Sequence, residues 1–493
     1  MMKDRPMDFI RKLSPPKASQ GYNIFILVLP ALGLALVAAV LGIALFIVPQ
    51  HYFGKDHWLA WQAQRRAKGD RFEWSQLLPP DLPDRDNFAK APLVRAAMTE
   101  KEPLDPAFKA LSLPAPKAQS DWGLWRQGRR VNLDAFAEAY GQPDLMKALA
   151  PFGPALRELD TASRRPGCKL AIDYREREMP GLRGFRSAAR MLQVRALARL
   201  AGGDGDGALD DLFTSLRMAD QFKAEPSIVV DLLRGALVAI AMQVVWEGCA
   251  DHRWQARHLK AIGDELRRID LLASARLAWE GERVGTVDTF IRMAEGLGVP
   301  RGVQDADDPP PKVKPGRFGK GWIYRNLLEM DRDFVATYLD VIAPGVRRVY
   351  PERQLSYADW EAGKKYRTDL SLSAISFRAK FALVARESQL QSLVDQGAVV
   401  CALESYRLER GDYPGALGQL VPGFLPRLPW DITTGGPLHY ARQDPDHFLL
   451  YSVGWDRVDQ GGILGWKEKA GKQVPDPDIE QGDWVWMRPL ERP

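Results

Sequence analysis

The sequence predicts a mainly α-helical protein on an amino-terminal transmembrane helix, with an array of helical hairpins through its middle and a small α+β module at its carboxy-terminal end. Three observations carry this. Residues 24–48, IFILVLPALGLALVAAVLGIALFIV, hold no charged side chain, and an apolar helix of that length spans a bilayer. Between about 121 and 300, apolar residues recur at steps of three and four with breaks at Gly, Pro or Asp, the helical period. After Gly411 that period gives way to proline-rich turns and two short alternating runs, which read as a β-hairpin.

From the amino terminus, residues 1–21 carry Lys3, Arg5, Arg11, Lys12 and Lys17. Cationic flanks stay in the cytoplasm, so 1–21 read as a cytoplasmic tail, 22–49 as the anchor and the rest as exported. That places the chain in the inner (cytoplasmic) membrane, amino terminus inside, its bulk periplasmic or extracytoplasmic. The apolar stretch is longer than a signal peptide's and runs into VPQHYFGKDHW rather than small residues, which argues for an uncleaved single-pass anchor. Trp58 and Trp61 follow where an aromatic belt sits. A formal net charge of +5 over 493 residues offers nucleic acid no concentrated basic footprint. Cys168, Cys249 and Cys401 stand far apart and make no metal-ligand spacing; the sequence leaves open whether an exported chain joins one pair.

Residues 50–120, which mix one helix-like stretch, HWLAWQAQRRAKGD, with PPDLPDRDNF and other proline-rich text, read as an irregular connecting segment. The helical array follows over 121–300. Within it, RMLQVRALARLAGGDGDGALDDLFTSLRMADQF (190–222) is helix, turn, helix. Ala196, Gly203-Asp204, Ala208 and Leu212 fall at the spacing of a tetratricopeptide-type (TPR-like) hairpin, which the stretch resembles. GGDGDG is neither a phosphate loop nor an EF-hand: no strand precedes it, no Gly-Lys-Ser/Thr follows, and Ser215 stands where calcium needs a glutamate. Residues 228–245 are apolar enough to suggest a second span, but they contain Asp231, Arg234 and Gln243. A charge at a membrane-helix centre costs about 2.5–3.5 kcal/mol, so a buried soluble helix is the expectation. Residues 301–320 read as a linker, 321–369 as a helical segment, and 370–493 as a long helix plus the α+β module. In that helix Leu383, Leu390, Val394, Gly397, Cys401 and Leu408 form one stripe, predicting an amphipathic helix that ends at Arg410-Gly411.

PLHYA and HFLLYSVG, joined by QDPD, are the hairpin. The order of Tyr406-Arg407-Leu408, Gly411, Tyr413-Pro414, the Leu-Pro-x-Asp turn at 428–431, Gly-Pro-Leu-x-Tyr at 436–440 and Tyr451-Ser452-Val453-Gly454-x-Asp456 resembles the globular region of the major pseudopilins of type II secretion systems. The resemblance covers roughly 375–462. The whole chain also looks similar to uncharacterised envelope proteins of planctomycete and verrucomicrobial type. The pseudopilin resemblance implies a calcium ion in the loop after the YS-x-G strand, with Asp456 and Asp459 at the matching positions and Asp483 in GDWVW as a candidate third ligand from the tail; an ordinary Asp/Gly turn stays open beside it.

No H-E-x-x-H, G-x-S-x-G, Walker A or S-x-x-K constellation is present, and no two of the six histidines make a helical i, i+4 pair for zinc. The expectation is therefore a non-catalytic binding or scaffolding role with protein partners in the envelope, linked to secretion or pseudopilus-type assembly. The alternative is an envelope hydrolase whose acidic site assembles only in three dimensions. A deep pocket with converging carboxylates and a histidine favours the enzyme, and a shallow groove favours binding.

Overall fold

A computed structural model describes residues 32–38, 40–42, 52–98, 123–141, 143–298, 317–354, 382–469 and 472–490. Its helices are α1 (Gly54–Ala67), α2 (Pro92–Met98), α3 (Leu133–Ala139), α4 (Leu145–Leu149), α5 (Gly153–Ser163), α6 (Arg183–Ala201), α7 (Gly205–Asp220), α8 (Ile228–Ala250), α9 (Ala256–Leu266), α10 (Leu271–Glu295), α11 (Arg317–Phe334) and α12 (Leu383–Arg410). The strands are β1 (His439–Asp444), β2 (His447–Ser452), β3 (Leu464–Lys469), β4 (Lys472–Gly482) and β5 (Trp484–Val485). The chain is thus mainly helical, with two small antiparallel sheets, β1-β2-β5 and β3-β4.

Local chemistry explains the helix boundaries. In GGDGDG, Asp204 caps α7 by accepting from Gly207 N at 2.9 Å, and Gly203 takes the left-handed turn at φ 83. Helices α6 and α7 pack on each other around that turn, with Ala196, Ala208 and Leu212 buried. Asp270 caps α10 through Ala273 N at 2.9 Å, and Gly411 closes α12 at φ 91.

Helix α8 runs through the middle of the fold, against α6, α7, α10 and α12. Its apolar window has a mean hydropathy of 2.0 and is 78% buried inside the protein. Gln243 there bonds the backbone of an earlier segment, accepting from Trp125 N at 2.9 Å and donating to Arg129 O at 3.0 Å. A second core lies under α1, α10 and α11, with Trp58, Trp279, Leu327 and Tyr338 buried in it.

Three expectations need correction. The described part of 50–120 holds α1, at the helix-like stretch expected there, but also α2, and it supplies Trp58, 1% exposed, and Phe88, 0% exposed, to the core rather than connecting irregularly. Residues 317–320, placed in the linker, begin α11, which packs on α1 and α10; residues 301–316 lie outside the described residues. Helix α12 is not amphipathic, because every residue from Ser388 to Glu404 is buried, against α8, α9, α10 and the β4–β5 end of the chain. Its polar residues are buried with partners: Gln391 accepts from Leu271 N at 2.7 Å and Gln396 donates to Trp484 O at 2.9 Å. The α+β end therefore shares its core with the helical middle, and Trp246 Nε1 ties the two by donating to Met487 O at 2.7 Å. Residues 1–21 and most of 24–48 lie outside the described residues; 32–38 and 40–42 are helical.

Candidate functional site

Four helices begin at one place. Leu182 and Arg186 from the start of α6, Val229 and Asp231 from α8, Leu271 from α10, and Arg386 and Glu387 from α12 line a cleft of about 540 Å³. No side chain caps the starts of α6, α8 or α12, so their backbone N–H groups and dipoles leave that end electropositive. Arg126, Arg186, Arg386 and Lys467 add four cationic side chains to the lining. Arg126 is held there by donating from Nη1 to Gln389 Oε1 at 3.3 Å. The walls are apolar, including Leu233, Ala236, Leu390 and Ile479. Val229 and Leu232 are 55% and 37% exposed on a helix that is otherwise mostly buried, apolar surface of the kind that marks a binding face.

At the inner side of the cleft Asp231 and Glu387 meet, and burial is the first cause that holds both above the usual carboxylate range. For Asp231 the hydrogen bond from Ser274 Oγ, 2.6 Å from Oδ1, and the Arg234 charge act against burial. For Glu387 the Asp231 charge adds to it, while Trp279 Nε1 donates at 3.4 Å. Both shifts favour a pair that shares a proton over one that carries two charges. The two carboxyls are hydrogen-bonded to each other, closer than the separation of about 5 Å or more that glycosidase pairs need. Among the described residues no histidine lines the cleft.

The loop after β2 gathers all three aspartates singled out for calcium. Asp456 accepts from Val458 N at 3.0 Å, Gly482 N at 3.0 Å and Gln460 Nε2 at 2.8 Å. Asp483 accepts from Gly462 N at 2.6 Å and Ile463 N at 3.1 Å, and burial raises its pKa against those bonds. Asp459 accepts from Gly461 N at 2.9 Å and Tyr451 Oη at 3.0 Å; the Gly461 N–H is the first cause that lowers its pKa. Among the described residues no group of three or more acidic, His or Cys side chains is arranged to hold a metal ion. The carboxylates organise the loop through N–H and O–H donors, and a calcium ion would compete with those donors for the same oxygens.

No protein family, no curated protein and no solved structure matches the chain. The sequence singled out Asp231 only as an obstacle to a membrane span, and Glu387 not at all. The signal that was there is a carboxylate inside an apolar run, which stays buried only beside a partner or a site.

Proposed function

We propose that the chain is a single-pass membrane protein, amino terminus inside, whose exported body binds the acidic end of a single-chain anionic amphiphile in the cleft. The observation that carries this reading is the convergence of three uncapped helix starts, those of α6, α8 and α12, and four cationic side chains on an apolar-walled cleft. An anionic group sits favourably at such a rim, and the shared proton of Asp231 and Glu387 supplies a neutral donor deeper in. About 540 Å³ is the size of a site for a small amphiphile. The anchor reading is supported by the charge-free run 24–48, whose described residues expose Leu32, Leu34 and Leu36. The pseudopilin-like order of 375–462 and the TPR-like pair α6–α7 support a setting in envelope assembly or secretion, with protein partners there.

Two experiments test this. A reporter fused after residue 60 is expected to be active only outside the cytoplasm, and an active cytoplasmic reporter ends the topology. Photo-crosslinking of the full chain in native membranes with a diazirine-bearing palmitate is expected to label α8 and the start of α12. Arg386→Glu and Ala236→Trp should each reduce labelling at least fivefold, and a diazirine alkylamine should not compete. Equal labelling in both variants overturns the cleft reading.

One observation favours a second reading, hydrolysis: the Asp231–Glu387 pair has the proton-sharing character of a carboxyl dyad. Asp231→Asn separates the two, because it removes a dyad's activity while leaving palmitate labelling in place.

A further inference from the structure

Helices α8 and α12 lie side by side because small residues let them. A Cβ on Gly235 would stand 3.5 Å from Leu390 Cδ2, and one on Gly397 would stand 2.8 Å from Met242 Cε. From 235 to 242 and from 390 to 397 the step is seven residues on each helix, so the two run parallel and in register. The next such step reaches Cys249 on α8 and Glu404 on α12, with Cys401 one turn before Glu404. The same register brings Cys249 and Cys401 together, both free thiols in this structure, and the Cys401 thiol is the first cause that raises the pKa of Cys249. Both residues are buried, 3% and 1% exposed. Neighbouring groups fix the ends of both helices. Glu404 takes His252 Nδ1 at 2.9 Å and the Tyr413 hydroxyl, and Gly263 of α9 presses on Cys401 Cβ, which an added Cβ would meet at 3.4 Å. Cys168 is buried elsewhere, beside Glu225 and Tyr174.

We propose that Cys249 and Cys401 are joined by a disulfide in the native protein. The inference rests on the export orientation proposed above, since a disulfide persists in an oxidising compartment. The oxidant is a disulfide-bearing protein or small molecule of that compartment. One cysteine thiolate attacks a sulfur of the oxidant and forms a mixed disulfide. The second thiolate then attacks the first cysteine's sulfur and releases the oxidant as a dithiol. Two electrons and two protons pass to the oxidant, and the S–S bond forms. The exchange takes place while α12 docks on α8, before the pair is enclosed. The product clamps two helices whose starts, at the other end, build the cleft.

The test is thiol counting on the full chain taken directly from native membranes into denaturant with a maleimide. Of three cysteines in the chain, one is expected to label without reductant and all three after reduction. Cys168→Ser should bring the unreduced count to zero, and Cys249→Ser should raise it to two by freeing Cys401. Three labelled cysteines in the native, unreduced chain overturn the proposal. Equilibration with oxidised glutathione then shows which part failed: a bond that forms there indicts the export orientation, and one that does not form indicts the pairing itself.

Discussion

Beneath α1 the protein buries charge in opposite-sign pairs, whereas at the cleft it buries two acids against each other. Arg283, 1% exposed, forks onto both oxygens of Asp331 at 2.7 and 2.8 Å and reaches Asp70 at 2.6 Å. Asp331 also accepts from Trp61 Nε1 at 2.8 Å, and Asp70 from Arg65 Nε at 2.6 Å. The guanidinium lies 4.1 Å from the centre of the Phe72 ring. The strong donors and acceptors of that network find one another, so it reads as a clamp between α1, α10 and α11. Asp231 and Glu387 have no cation between them; Arg234 reaches Asp231 through Ser274, donating from Nη1 at 2.6 Å. The difference separates a buried charge that holds the fold from one that the fold must carry, and the second kind sits where a cleft reaches it.

Breaking the first region should cost most. Arg283→Met strands the buried Asp331 carboxylate and takes one of two cations from Asp70, and it is expected to lower unfolding stability by about 3–5 kcal/mol, measured by urea denaturation of the full chain. Asp231→Asn removes one of two mutually repelling acids and should leave stability unchanged or raise it at pH 8. A large loss in Asp231→Asn, or none in Arg283→Met, would erase the contrast.

A middle-sized effect comes from single buried acids. Burial pushes Glu247 up to about 7, against hydrogen bonds from Val131 N at 2.9 Å and Gln243 Nε2 at 2.8 Å; Asp395 is likewise at about 7. With the folded pKa above the unfolded one, the native state holds more protons between the two values. Stability is then highest below the unfolded pKa and falls as pH rises toward 7. For Glu247 the loss is of order 3 kcal/mol at most. Glu247→Gln mimics the protonated acid, so it should flatten the decline between about pH 4.5 and 7 and stabilise the protein at pH 8. An unchanged slope in thermal scans across that range would show that Glu247 titrates normally.

What the sequence made legible follows from the range of the forces involved. The α6–α7 turn, the β1–β2 hairpin and the end of α12 at Gly411 are set by residues within a few positions of each other, and each stands where the local pattern puts it. Helix α8 was readable as buried because Asp231 and Arg234 are costly in lipid. The enclosure of α12 was not, since Gln391 and Gln396 look like a solvated face until Leu271 N and the Trp484 carbonyl, 120 and 88 residues away, are placed beside them. The cleft was hidden for the same reason: Arg126, Asp231, Glu387 and Lys467 come from four distant parts of the chain. The disulfide candidate needed the register of two helices, which no spacing in the sequence reports.

The smallest expected effect concerns the loop after β2, where the contrast between satisfied and unsatisfied charge can be sharpened. Asp456, Asp459 and Asp483 resemble the Arg283 network more than the cleft pair, because N–H groups of Val458, Gly461, Gly462, Ile463 and Gly482 meet their oxygens. Calcium needs six to eight oxygens at about 2.3–2.6 Å, and gathering them here means giving up those donors. The expected outcome is an unfolding midpoint that 1 mM calcium and excess chelator leave the same. A site with a Kd of about 0.1 mM would instead add roughly 1.4 kcal/mol at that concentration, and such a gain, lost in Asp459→Ala, would reinstate the cation that the pseudopilin resemblance implies. Asp456→Asn distinguishes the two pictures without any added metal. As a loop organiser Asp456 takes two backbone N–H groups, which an amide can satisfy only through its single oxygen, so a loss of about 1–2 kcal/mol is expected in calcium-free buffer. A calcium ligand in a chelated protein would lose nothing, and relief of like charge would make the variant slightly more stable.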